Sequence, residues 1–195
     1  KDLKLAWTLK PAKAPAHDSL AQSWNDHWFI QGPITQPAVA EGVLVFGLSH
    51  QHQVIACDPA TGEERWRVPV DGRIDSAPTI YRGLVLAGTR MGSVYALNRD
   101  TGELVWRFRA APRVDTLVAD GQVESVWPCF GSVNVDERGV MAVAGRHTDT
   151  DGGLWWWRLD PPTGEVRGHG RFGADELKMT TFGGGNPGRT IATGG

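Results

Sequence analysis

Cysteine is scarce in this chain, and the scarcity excludes two architectures. Cys57 and Cys129 are the only two in 195 residues and lie 72 positions apart, which rules out a disulfide framework and a four-cysteine zinc site. Charge of one sign is also lacking: a formal net charge of -2 leaves no basic footprint for nucleic acid. No apolar run approaches the roughly 20 residues of a membrane span. The chain opens KDLKLAW, with neither Met nor an apolar leader, and reads as a mature or excised piece. Helix-forming pattern is nearly absent, since only residues 18–28 offer a turn or two. What is abundant is Gly (25), Pro (12) and Trp (9), the composition of many short strands joined by tight turns.

Comparing the chain with itself exposes a period. Residues 56–66 read ACDPATGEERW and residues 96–106 read ALNRDTGELVW, a common A-x-[DN]-x-x-T-G-E-x-x-W pattern at a spacing of 40. Upstream, residues 36–47 (QPAVAEGVLVFG) match residues 77–88 (APTIYRGLVLAG) at an offset of 41. A weaker copy, LDPPTGE at residues 159–165, keeps Asp160, Thr163 and Gly164 but has Arg158 for the Ala and Gly168 for the Trp. Each unit reads as four β-rich runs. The first two are joined by an E-G or R-G turn, and the last two by the D-x-x-T-G turn, whose Asp or Asn side chain bonds the backbone two residues on. Four antiparallel strands every 40 or so residues is the pattern of a β-propeller blade. The fold expected is therefore all-β, about three blades plus partial ones, forming an incomplete, open propeller. Two chance similarities within a β-sandwich are the competing reading, and the flanking matches in register argue against it.

The boundaries expected are residues 1–10 as the last strand of a truncated blade, 11–29 an insertion, 30–70 and 71–110 two blades, 111–128 a second insertion, 129–171 a third blade, and 172–195 a glycine-rich tail or the start of a further blade. Missing blades or another chain would then meet the open edges.

The repeated element resembles the tryptophan-docking motif of PQQ-type propellers, the repeats of quinoprotein alcohol dehydrogenases and of BamB-like proteins. That resemblance implies a periplasmic or cell-envelope setting. It also implies that Ala56, Gly62, Trp66, Ala96, Gly102 and Trp106 are structural, each Trp stacking on its own motif's Ala and the next motif's Gly. The bottom-up reading agrees, because an indole buries on the order of 200 Å² and stacks well on a small residue or a peptide plane.

Both insertions follow the outermost strand of one unit and precede the innermost strand of the next, so they should emerge, with the loops between second and third strands, on one face. Such loops are where a rigid scaffold carries binding residues. The candidate binding face comprises His50, His52, Arg73, Asp75, Trp127, Arg146, His147, Asp149 and Asp151. Asp18, His27, Arg113, Asp115 and Glu124 fall on the same side by this reading. Trp24, Trp28 and Trp127 sit in the insertions and either cover the channel mouth or meet a partner. Strand alternation sends Trp155 and Trp157 to one sheet face and Trp156 to the other. His50-x-His52 with Asp149 and Asp151 has weak spacing for a metal, and DTDGG lacks the full calcium-loop pattern, so no metal site is assigned.

Two functions of different class follow. The first is a non-catalytic binding or scaffold module of the cell envelope that takes a protein or small-molecule ligand on the loop face and needs no cofactor. The alternative is a fragment of a PQQ-dependent dehydrogenase, for which the resemblance implies PQQ, calcium, adjacent cysteines and a catalytic Asp. Cys57 and Cys129 are not adjacent. The chain also has no G-x-S-x-G, H-E-x-x-H or P-loop lysine.

Overall fold

A computed structural model describes residues 4–10, 33–119 and 121–173. The expected insertion at 11–29, with Asp18, Trp24, His27 and Trp28, and the tail from residue 174 lie outside the described residues. The described chain is almost entirely β, with one 3-10 turn at Ser49–Gln51.

Three four-stranded antiparallel sheets follow one another. The first blade is β1 (Ala38–Ala40), β2 (Val43–Leu48), β3 (Gln53–Cys57) and β4 (Glu64–Pro69). β5 (Thr79–Tyr81), β6 (Leu84–Gly88), β7 (Ser93–Asn98) and β8 (Leu104–Arg109) make the second. The third, after a two-stranded hairpin of β9 (Thr116–Ala119) and β10 (Gln122–Ser125), is β11 (Asn134–Asp136), β12 (Gly139–Ala144), β13 (Leu154–Leu159) and β14 (Val166–Phe172). Strand order within each blade is sequential, as the repeat predicts. The three blades form an open, unclosed array.

Local sequence explains the turns. The β1–β2 and β5–β6 turns place Glu41 (φ 49) with Gly42 (φ 75), and Arg82 (φ 47) with Gly83 (φ 78). Two successive positive φ angles match the twist of a hairpin, and glycine takes the second without penalty. In the D-x-x-T-G turns Asp58 Oδ1 accepts from Ala60 N at 2.8 Å, and Asn98 Oδ1 accepts from Asp100 N at 2.8 Å. A bulge recurs beside the motif in all three blades, between Ala56 and Cys57, Ala96 and Leu97, and Arg158 and Leu159.

Apolar side chains interleave between neighbouring sheets. Val43, Val45, Val54 and Ala56 of the first blade pack with Val85, Ala87, Tyr95 and Leu97 of the second. Leu86, Val94 and Ala96 of the second pack with Val140, Ala142, Ala144 and Leu159 of the third. Within β13, Trp155 and Trp157 join that second cluster, while Trp156 turns the other way to Phe172, with ring centroids 6.4 Å apart.

Candidate functional site

The motif tryptophans repeat one geometry across the blade boundaries. Ala56 is the cross-strand partner of Trp66, and Ala96 that of Trp106. A Cβ placed on Gly62 would fall 2.7 Å from the Trp7 ring. One on Gly102 would fall 2.8 Å from the Trp66 ring, and one on Gly164 2.7 Å from the Trp106 ring. All three glycines have positive φ, so each of these turns has two reasons for lacking a side chain. Each indole also donates forward to the next turn: Trp7 Nε1 to the Pro59 carbonyl at 3.1 Å, Trp66 Nε1 to Arg99 at 2.7 Å, and Trp106 Nε1 to Pro161 at 2.8 Å. Trp7 makes this contact although residues 4–10 belong to no sheet among the described residues. In the third blade the pattern is inverted, with Trp156 lying over Gly170, its partner in the register.

The second insertion is not a plain loop. β9 and β10 lie across the side of the molecule that carries the β2–β3, β6–β7 and β12–β13 loops and tie the three blades together. Gln122 Oε1 is 3.4 Å from His52 Nε2 of the first blade. Glu124 Oε2 takes a hydrogen bond from Arg90 Nη1 of the second at 2.7 Å, and Glu124 Oε1 takes one from Arg146 Nη2 of the third. Ser125 N donates to the Arg90 carbonyl at 2.9 Å. Asp75 completes the network, paired with Arg73 at 2.6 Å and with Arg90 through its other oxygen. The Arg90 and Arg146 guanidiniums also face the Phe130 ring, at 4.6 and 5.6 Å from its centroid. Burial works against the charge of Arg90, but Asp75 and Glu124 outweigh it and hold its pKa above the ordinary value.

This changes the reading of several candidate residues. Arg73 and Asp75 pair within this network and Arg146 joins it through Glu124; Arg73 is 3% exposed. Trp127, expected in an insertion to cover the channel mouth or meet a partner, is also 3% exposed and belongs to the core between the second and third blades. Its Nε1 donates to the Asp151 carbonyl at 2.8 Å, and Arg113 stacks on its ring at 4.9 Å. The physical reason is the hairpin: it returns the chain to the blades, so the connection between β10 and β11 lays the Trp127 ring against the core.

The other candidates divide. His147 and Asp149 are exposed and face one another at 3.3 Å, and Asp151 is exposed with φ 53. His50 is half-buried in the 3-10 turn, and burial, aided by the nearby His52, pulls its pKa down. Among the described residues no three His, Cys, Asp or Glu side chains gather as metal ligands. Cys57 and Cys129 are free and buried, and burial pushes the Cys129 thiol up to about 12.

Sequence reasoning placed Glu124 and the loop 89–92, which holds Arg90, on the face, but did not single out Arg90, Phe130 or Asp71; Asp71 takes bonds from Thr89, Ser93 and Arg107 at 2.7, 2.6 and 2.5 Å. The hairpin itself left a signal in the Gly121 turn between Val118 and Val123. Those two valines are cross-strand partners on its outer side, 74% and 62% exposed, with Val114 nearby at 71%.

The sequence model of the family described as outer membrane protein assembly factor BamB matches residues 4–170. The chain is 32% identical over 143 residues to a quinoprotein ethanol dehydrogenase of Pseudomonas aeruginosa, covering 64% of this chain and 23% of that protein. It is 36% identical over 84 residues to the outer membrane protein assembly factor BamB of Burkholderia pseudomallei, covering 40% of this chain and 22% of that one. The crystal structure of BamB from Moraxella catarrhalis superimposes with a TM-score of 0.51 at 21% identity, over 69% of this chain and 35% of that one, a likeness of fold. The chain thus spans about a quarter of the length of the curated relatives it matches.

Proposed function

The chain belongs to the family described as outer membrane protein assembly factor BamB, and on that footing we propose that it is a non-catalytic binding or scaffold module of the cell envelope that meets a protein partner through its loop face. The observation that carries this reading is the valine surface of the inserted hairpin. Val118 and Val123 are cross-strand partners and, with Val114, stand open to solvent. Exposed apolar clusters rimmed by polar residues mark interaction surfaces.

Similarity to quinoprotein dehydrogenases supports a second reading, a fragment of a PQQ-dependent enzyme. The described residues do not fit that cofactor. Cys57 ends β3 of the first blade, while Cys129 precedes β11 of the third, its backbone N bonded to the Thr89 carbonyl, so the two cannot form an adjacent pair. No acidic cluster for calcium accompanies them among the described residues. The binding reading is tested by charging the valines. Val118→Asp with Val123→Asp should abolish copurification of the partner with the protein. Ala60→Asp on the D-x-x-T-G side should leave it intact, and equal loss from both would defeat the assignment of the face.

A further inference from the structure

The dipeptide Asp-Gly occurs three times, at residues 71–72, 120–121 and 151–152. The first and the last lie wholly within the described residues, and their surroundings are opposite. Asp-Gly carries a latent reaction, because glycine has no Cβ to shield its amide nitrogen from the side-chain carboxyl one residue before it. The packing around the pair decides whether the carboxyl can reach that nitrogen.

At 71–72 both residues are held. Asp71 Oδ1 takes a bond from Thr89 at 2.7 Å, its Oδ2 takes bonds from Ser93 and Arg107 at 2.6 and 2.5 Å, and its backbone N donates to Tyr95 Oη at 3.1 Å. Gly72 is buried, and a Cβ on it would fall 2.6 Å from Met91 Cγ. At 151–152 both residues are exposed. Among the described residues the Asp151 carboxylate takes no hydrogen bond and pairs with no cation. The Gly152 N–H likewise has no acceptor among them, whereas that of Gly153 donates to the Thr150 carbonyl at 2.8 Å. A Cβ on Gly152 would meet nothing nearer than Arg171 Nη1 at 3.8 Å, so the carboxyl has room to swing over the nitrogen.

We propose that the Asp-Gly pair at 151–152 is a site of spontaneous isomerisation, in which the Asp151 side chain takes over the main chain and disturbs the seat of Trp127. The Gly152 nitrogen attacks Asp151 Cγ. The new C–N bond closes a five-membered succinimide, and a carboxyl oxygen leaves as water, taking the amide proton with it. Water then adds back to the ring. Addition at the Asp151 main-chain carbonyl breaks the original peptide bond, so the chain now runs through Cβ and Cγ and the former carbonyl carbon carries a free carboxylate. One water is lost and one regained, and no oxidant or cofactor takes part. The product has a main chain one atom longer. The carbonyl it converts is the one that accepts from Trp127 Nε1 at 2.8 Å, so the change reaches an indole packed between the second and third blades.

The test uses the native chain, incubated in heavy-oxygen water at mildly acidic pH, digested, and mapped by mass spectrometry. Each closure and reopening of the ring leaves one heavy oxygen in the peptide. The peptide holding Asp151 should gain label at least tenfold faster than the one holding Asp71, and electron-transfer fragmentation should find isoaspartate at 151. In concentrated urea the two peptides should label within about threefold of one another, because the protection of Asp71 comes from contacts that unfolding removes. The isoaspartyl form, separated by chromatography, should show a displaced Trp127 indole N–H resonance. Labelling at 151 no faster than at 71 in the folded chain, a tenfold gap that persists in urea, or a Trp127 resonance identical in the two forms would overturn the proposal.

Discussion

Gly102 and Gly83 have nearly the same backbone, φ +76 and +78, and opposite surroundings. A Cβ at Gly83 would meet nothing within 4 Å, whereas one at Gly102 would meet the Trp66 ring at 2.8 Å. Alanine at either position forces an L-residue into the left-handed region, at about 1–2 kcal/mol. At Gly102 it also drives a methyl into a packed indole, and overpacking of that kind costs about 1–3 kcal/mol more. Gly83→Ala should therefore cost about 1–2 kcal/mol and Gly102→Ala about 2–5, the difference reporting the contact of Trp66 with the next blade's turn. Gly42→Ala (φ +75, likewise open) and Gly164→Ala (φ +73, against Trp106) supply a second pair. Urea unfolding of the four variants, compared by midpoint at constant m, gives the energies. Adding Trp66→Ala to Gly102→Ala should remove the excess, since the ring is then gone. If Gly102→Ala lies within about 0.5 kcal/mol of Gly83→Ala, inside the usual scatter of surface substitutions, the ring does not bear on that turn and the packing argument fails.

Other outcomes follow from the same contacts. Trp66→Ala, Trp106→Ala and Trp127→Ala should each cost about 3–5 kcal/mol by denaturant unfolding, because all three rings are buried; a Trp127 cost under half the others would return it to the loop. Glu124→Ala leaves Arg90 and Arg146 facing no carboxylate from the hairpin and should cost about 3–5 kcal/mol, measured the same way, with a loss below about 1 kcal/mol showing that the network is loosely held. The Cys129 thiol, raised to about 12 by burial, stays protonated in the folded protein while an unfolded thiol ionises near about 8.5. Its contribution to stability is thus fully present below about pH 8.5 and declines as pH rises toward about 12, and iodoacetamide at pH 8 should label Cys129 only after unfolding. Titration with PQQ and calcium should produce no saturable quenching of Trp fluorescence; one-to-one micromolar quenching would favour the dehydrogenase reading.

The blades were legible because their determinants are local. The D-x-x-T-G turn, the E-G and R-G hairpins and the β-branched runs between them each act within a few residues, and a 40-residue repeat displays them more than once. Burial at the loops was not. Arg90 meets Asp75 and Glu124 across 15 and 34 positions, and Arg146 reaches back 22 to Glu124, pairings that exist only once the blades are stacked and the hairpin has folded over them. Trp127 misled for a related reason: counting from the repeat put it in an insertion, but the Gly121 turn folds that insertion into two strands and delivers the indole to the core.

The claim that the loop face is the working surface is tested most directly by site-specific photo-cross-linking in cells carrying the protein. A photoreactive residue at Val118, Val123 or His147 should yield one discrete cross-linked protein species, and the same residue at Ala60 or Glu137 on the opposite turns should yield none. Cross-links confined to Ala60 and Glu137, or absent from every position, would contradict it.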